Sequence, residues 1–263
     1  MPLDLIQRYG PLIVILPHTG TNMPRVIADR LKDPAQSITA PDRFLDRLLH
    51  GLMEDATVLR ANFHRYLSDV DSGLAAGEAR PRNGMIGVVP LLDVRGESIW
   101  EKPPGPREAQ TWRSTYYVPF HAALAAQIAR VRARNGYAMV VTCRARPDEA
   151  LTYSPPDDVD IWISTFMGAS CAVELSTQLV RLINSSNTHT AMVQGRSTAG
   201  WITQHYGRPS AGTHALDLDL SEACYLTFDD GAALYNTERA ESFRGVLSEV
   251  MEYIGKWRPP DLR

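Results

Sequence analysis

Cysteine is scarce in this chain. Its three thiols, Cys143, Cys171 and Cys224, lie far apart among 263 residues, with no Cys-x-x-Cys spacing. That excludes a disulfide framework and points to a reducing cytoplasm. Long apolar runs are missing as well: no stretch has the roughly 20 residues that a membrane span needs. Charge of one sign does not accumulate either, since 27 Lys and Arg stand against 30 Asp and Glu for a formal net charge of −3. Without a basic run, nucleic acid and anionic membranes are excluded as expected partners. There is no internal repeat and no low-complexity tract. The residues Met1-Pro2-Leu3-Asp4 carry no signal-peptide pattern, so the expected location is the cytoplasm.

What is present is 44% apolar residues, enough for one sizeable α/β domain over residues 1–263. The most informative stretch is Pro11-Leu12-Ile13-Val14-Ile15-Leu16-Pro17-His18-Thr19-Gly20. Its apolar run, β-branched in the middle, reads as a strand buried on both faces. Ligands gather at the carboxyl ends of strands in open α/β sheets. His18 therefore stands where a crevice would open, or else it is a strand-end histidine that only bonds a loop. Tyr137 to Thr142 reads as a second buried strand that delivers Cys143-Arg144-Ala145-Arg146 to a loop. His214 to Leu220 alternates strictly, with Leu216, Leu218 and Leu220 on one face and Asp217 and Asp219 on the other. Two carboxylates on one strand face are costly to bury, so that face is wet or functional.

Further strands are expected at Thr57 to Ala61, Tyr66 to Asp69, Val159 to Ser164 and Thr190 to Val193. The helices expected are Pro41 to Leu52, Trp112 to Arg134 with a kink at Pro119, Cys171 to Asn184, and Glu238 to Trp257. In the first, Phe44, Leu45, Leu48, Leu49 and Leu52 form the apolar stripe, and Asp42 and Asp46 share a face as ordinary N-terminal acids would. The second stops at Asn135-Gly136. Leu74 to Gly84, rich in Gly, Ala, Arg and Pro, reads as a long loop. The alternation of strand and helix predicts an α/β fold, a mixed and mainly parallel sheet with helices on both faces.

Several fragments, taken in order, resemble the N-formylglutamate amidohydrolases. They are Pro17-His18-Thr19-Gly20, Asp42, Arg65-Tyr66 before Asp69, Pro119-Phe120-His121-Ala122-Ala123-Leu124, Gly136-Tyr137-Ala138, Gly168-Ala169-Ser170-Cys171, Gly200 to Pro209, and His214-Ala215-Leu216. The resemblance runs nearly end to end. It implies a zinc-carboxypeptidase-like and aspartoacylase-like fold and hydrolysis of a formamide to formate and an amino acid. It also implies zinc held by histidines and a carboxylate, a glutamate that shuttles the proton, and an Asn-Arg pair that grips substrate carboxylates.

Residue by residue, His18 takes the place of the first metal histidine and Asp42 that of the acidic ligand. The second metal histidine falls on Arg144, which has no lone pair to give a metal. The proton-shuttle glutamate falls on Asp219, one methylene shorter, and the Asn-Arg pair becomes Asp71-Ser72. Arg65, Asp71, Arg196 and His205 are the candidates for holding a small-molecule substrate, and Arg144 and Asp219 for catalysis. A rebuilt zinc site could draw on His64, unless that histidine simply caps its strand. Three outcomes stay open: an amide hydrolase with a rebuilt site, a non-catalytic relative holding an anionic ligand at Arg144, and a metal-free enzyme using His18 and Asp219. The altered clamp predicts slow turnover of N-formylglutamate itself.

Overall fold

The computed structural model describes residues 2–32, 42–73, 85–93, 96–146, 159–194, 199–230 and 232–262. The layering follows from the run that ends at Leu16. Every residue of strand β2 (Leu12–Leu16) is buried. Leu12, Val14 and Leu16 enter one core, while Ile13 and Ile15 enter another. A strand that is apolar at both parities needs cover on both faces, and helices supply it. The first core is closed by helices Leu45–Leu49, Val173–Ser185 and Thr237–Lys256. The second lies under Pro106–Trp112, Val118–Asn135 and Trp201–Tyr206.

The other strands are β1 (Leu3–Ile6), β3 (Thr57–Ala61), β4 (Met85–Ile86), β5 (Val89–Pro90), β6 (Ala138–Arg146), β7 (Ile161–Ser164), β8 (Ala191–Val193), β9 (Thr213–Ser221), β10 (Leu226–Asp229) and β11 (Ala232–Tyr235). Seven of them form one sheet in the order β1-β3-β2-β6-β9-β7-β8, and β4-β5 and β10-β11 are separate pairs. Within the main sheet β1 pairs β3 and β7 pairs β9 antiparallel, and the remaining neighbours are parallel. The expected mixed, mainly parallel sheet with helices on both faces is thus present. Because β2, β6 and β9 run parallel side by side, their carboxyl ends open on one edge. His18, Arg144 and Asp219 come together there, and Arg144 is the register partner of Asp219.

Four local expectations are corrected. Strand β6 does not end at Thr142 but continues through Arg146, because its ladder with β9 persists to Arg146↔Ser221. Tyr66 to Asp69 is a turn rather than a strand: the Leu67 amide donates to the His64 carbonyl, and the Tyr66 amide donates to His64 Nδ1. The first helix is only Leu45–Leu49, since Phe44 sits at φ 56° and leaves its exposed ring against Tyr235 rather than in the core. The long helix is not simply kinked at Pro119; a π-helical turn, Arg113–Tyr117, absorbs the break just before it. The stop at Gly136, in left-handed conformation at φ 81°, stands as expected. The loop expected at 74–84 lies outside the described residues.

Gly20 sets how closely the turn after His18 can approach the end of β3. A Cβ there would meet the backbone at Asn62 C (2.4 Å), Ala61 O (2.5 Å) and Phe63 O (2.6 Å). Backbone cannot step aside as a side chain can. Gly20→Ala is expected to lose about 1–3 kcal/mol of stability, read as a lower urea midpoint; an unchanged midpoint would contradict the packing described.

Candidate active site

His18 leaves the end of β2 buried and fixed. Its Nε2 donates to Asp69 Oδ1 at 2.9 Å. Asp69 Oδ2 accepts from Arg65 Nη2 at 2.6 Å, and Oδ1 also accepts the Asp71 amide at 3.0 Å. Burial pushes the Asp69 carboxyl up, but the charges of Arg65 and His18 outweigh it and hold Asp69 well below the usual carboxylate range. A charged acceptor at Nε2 places the ring proton there and leaves the lone pair on Nδ1. Nδ1 faces Asp42 Oδ2 at 3.9 Å, too far for a hydrogen bond. That Asp42 oxygen is buried with no hydrogen-bond partner among the described residues. Burial raises the Asp42 carboxyl, with His18 and Arg65 pulling the other way.

Beside this group lies a second one built on Arg144. Nε donates to Asp219 Oδ1 at 2.7 Å and Nη2 to Asp219 Oδ2 at 3.1 Å, a two-pronged grip between adjacent strands. Nη1 donates to Asp71 Oδ2 at 2.7 Å, and Nη2 also reaches Asp217 Oδ2 at 3.3 Å. The remaining oxygens are taken by the neighbouring helix. The Ile202 amide donates to Asp71 Oδ1, the Thr203 hydroxyl to Asp217 Oδ1, and the Gly200 amide to Asp217 Oδ2. Gly200 is required here, because a Cβ would fall 2.0 Å from Asp71 Oδ2. Burial pushes Asp217 up to about 7 against the pull of Arg144, and burial raises Asp71 for the same reason.

The structure thus brings His18, Asp42 and Arg65 together with Asp69, and Asp71, Arg144 and Asp219 together with Asp217. Three roles expected from the sequence change. Asp71 is no free contact for substrate, because it is buried and both its oxygens are bonded. Arg144 does not stand open to an anionic ligand, because its nitrogens already face three carboxylates. Asp219 is not poised as a free proton shuttle, since both oxygens accept from Arg144. His64 caps its turn through Nδ1 at 3.2 Å from the Tyr66 amide and lies edge-on to the Tyr66 ring. His205 is exposed and stacks on Trp201. Arg196 lies outside the described residues.

Sequence reasoning gave no role to Asp69, Thr203, Gly200 or His121. His121 Nε2 donates to the Val70 carbonyl at 2.9 Å, and its Nδ1 accepts from the Tyr206 hydroxyl at 2.9 Å. Burial lowers its pKa to about 4, so it is neutral and anchors the backbone next to Asp71. The resemblance had singled out Asp71, Arg144 and Asp219, and the alternation of β9 marked the face of Asp217 and Asp219 as wet or functional; Asp217 is fully buried.

The zinc implied by the resemblance does not fit this donor set. A catalytic zinc takes three protein donors and leaves one position open. His18 Nδ1 and Asp42 Oδ2, 3.9 Å apart, could share an ion. Among the described residues, however, no group of three or more His, Cys, Asp or Glu is placed to hold one.

Comparison with known proteins agrees with the resemblance. The profile of the N-formylglutamate amidohydrolase family matches residues 10–226. The N-formylglutamate deformylase of Pseudomonas aeruginosa is 25% identical, over 94% of this chain and 93% of that protein. The N-formylglutamate deformylase of Pseudomonas putida is 24% identical, over 97% and 96% respectively. The crystal structure of N-formylglutamate amidohydrolase from Ralstonia eutropha JMP134 superposes with a TM-score of 0.81 at 20% identity, covering 97% of each chain.

A raised carboxyl pKa has a signed consequence. Asp217 binds its proton up to about pH 7 in the folded protein and only to about pH 4 when unfolded. Its contribution to stability is therefore full below about pH 4 and lost as pH rises through 7. The stability of the native chain relative to Asp217→Asn is expected to decline by a few kcal/mol across that window. Parallel urea-derived pH profiles for the two proteins would contradict this.

Proposed function

The chain belongs to the N-formylglutamate amidohydrolase family, and we propose that it cleaves the carbon–nitrogen amide bond of a small N-formyl- or N-acyl-amino-acid-like molecule. The observation that carries this reading is the buried His18–Asp69 pair, 2.9 Å apart, with Nδ1 turned toward Asp42. Asp69 fixes the tautomer and stabilises positive charge on the ring. Nδ1 is then free to take the proton of a water set in the gap before Asp42, making His18 the general base. Asp42, whose carboxyl burial favours in the protonated form, faces the same gap and can return a proton to the departing nitrogen. Arg65 has one nitrogen on Asp69 and, among the described residues, no hydrogen bond at Nε, so it can steady a substrate carboxylate. The proton-handling role expected of Asp219 passes to His18, and no step runs through a metal.

No described helix is long and apolar enough to cross a membrane. With the scarce cysteines and balanced charge, this supports a single domain acting on a small molecule in the cytoplasm.

One observation favours a second reading, a non-catalytic relative. All six oxygens of Asp71, Asp217 and Asp219 already accept from Arg144 or from the helix beside them, so that half of the site is closed on itself.

Release of formate or free amino acid from a panel of N-formyl and N-acyl amino acids separates the two. Measurable turnover is expected, slow on N-formylglutamate, and lowered on the order of 100-fold or more in His18→Ala and Asp69→Asn. No turnover on any member, or full rates in His18→Ala, would sink the hydrolase reading.

A further inference from the structure

Burying carboxylates side by side demands a compensating cation. Asp217 is 0% exposed and Asp71 8%, and both lie within reach of the Asp219–Arg144 pair. In this chain the cation is covalently attached. The Arg144 guanidinium sits among the three carboxylates with bonds to each. Its place on the sheet edge also bears on the neighbouring group. Arg144 adds its field at the Asp42 carboxylate, which the Ala145 amide also meets. Among the described residues, an ion between His18 Nδ1 and Asp42 Oδ2 would thus lack a third protein donor, and it would be repelled by a fixed positive charge nearby.

We propose that Arg144 is the resident cation of this centre, supplying the positive charge that a metal ion would otherwise bring, and that the folded protein keeps its carboxylates together without any divalent metal. The fixed charge has two consequences. The centre cannot lose its cation to a chelator, and it cannot exchange it for another. The proposal concerns the ground state of the site and stands whether or not the amide-hydrolase reading holds.

The test is a zinc count. Purified wild-type protein and Arg144→His are each equilibrated with excess zinc, desalted, and measured by elemental analysis. Wild type is expected to carry only background zinc. The histidine variant supplies the missing third donor beside His18 and Asp42, and is expected to hold about one zinc per chain, lost again in the His18→Ala double variant. Near-stoichiometric zinc in wild type would overturn the proposal, and so would background zinc in Arg144→His. Arg144→Met gives an independent readout. Stripped of its cation, the cluster is expected to lower the melting temperature by about 10 °C, with or without a chelator. An unchanged melting temperature would mean that Arg144 is not what holds the carboxylates together.

Discussion

The grip of Arg144 on Asp219 across β6 and β9, extended to Asp71 and Asp217, is the interaction on which the rest of the site depends. It ties four pieces of chain that are remote in sequence. The ends of two central strands, the turn that follows Asp69, and the start of the Trp201–Tyr206 helix all converge on one guanidinium and the carboxylates it holds. Removing one partner of such a buried cluster leaves charge without compensation, at a cost of about 3–5 kcal/mol. The surroundings are shaped to it. Gly200 leaves room for the Asp71 carboxylate, and His121 holds the backbone at Val70.

Two groups of polar side chains share the carboxyl edge of the sheet, joined where the Asp71 amide donates to Asp69. They handle excess negative charge differently. In the His18 group, Asp69 keeps its charge because Arg65 and His18 flank it. Among the described residues, Asp42 has no hydrogen bond on Oδ2, and burial pushes its carboxyl up. In the Arg144 group one guanidinium serves three carboxylates, and Asp71 and Asp217 are both pushed upward by burial. The result is an edge with one fixed imidazole, an Asp42 carboxyl that burial pushes up, and a closed ionic cluster beside them. On that division the proposed proton transfer rests with His18 and Asp42, and Arg144 is left as the proposed structural cation.

Much of this was legible in the sequence where short-range pattern decides the outcome. The uninterrupted apolar run of β2 announced a strand covered on both faces, and the alternation of β9 set Asp217 and Asp219 apart from its leucines. Against the family resemblance, Arg144 in the place of an implied histidine was also visible, and a guanidinium cannot ligate a metal. What Arg144 does instead was not visible. Asp71 lies 73 residues away and Asp219 75 residues away, and no local periodicity encodes such pairings. Tyr66 to Asp69 looked extended by residue type, yet His64 and its turn hydrogen bonds decide the backbone there. The same contact spends His64 Nδ1 on the turn. Asp69 went unassigned because its role rests on meeting His18 across 51 residues.

The most direct test of the central claim is a crystal structure determined after a zinc soak, with diffraction data collected on both sides of the zinc absorption edge. The account predicts guanidinium density between Asp71, Asp217 and Asp219 and no anomalous peak near His18. An anomalous peak between His18 Nδ1 and Asp42 Oδ2, with Arg144 swung out of its carboxylate cluster, would contradict it.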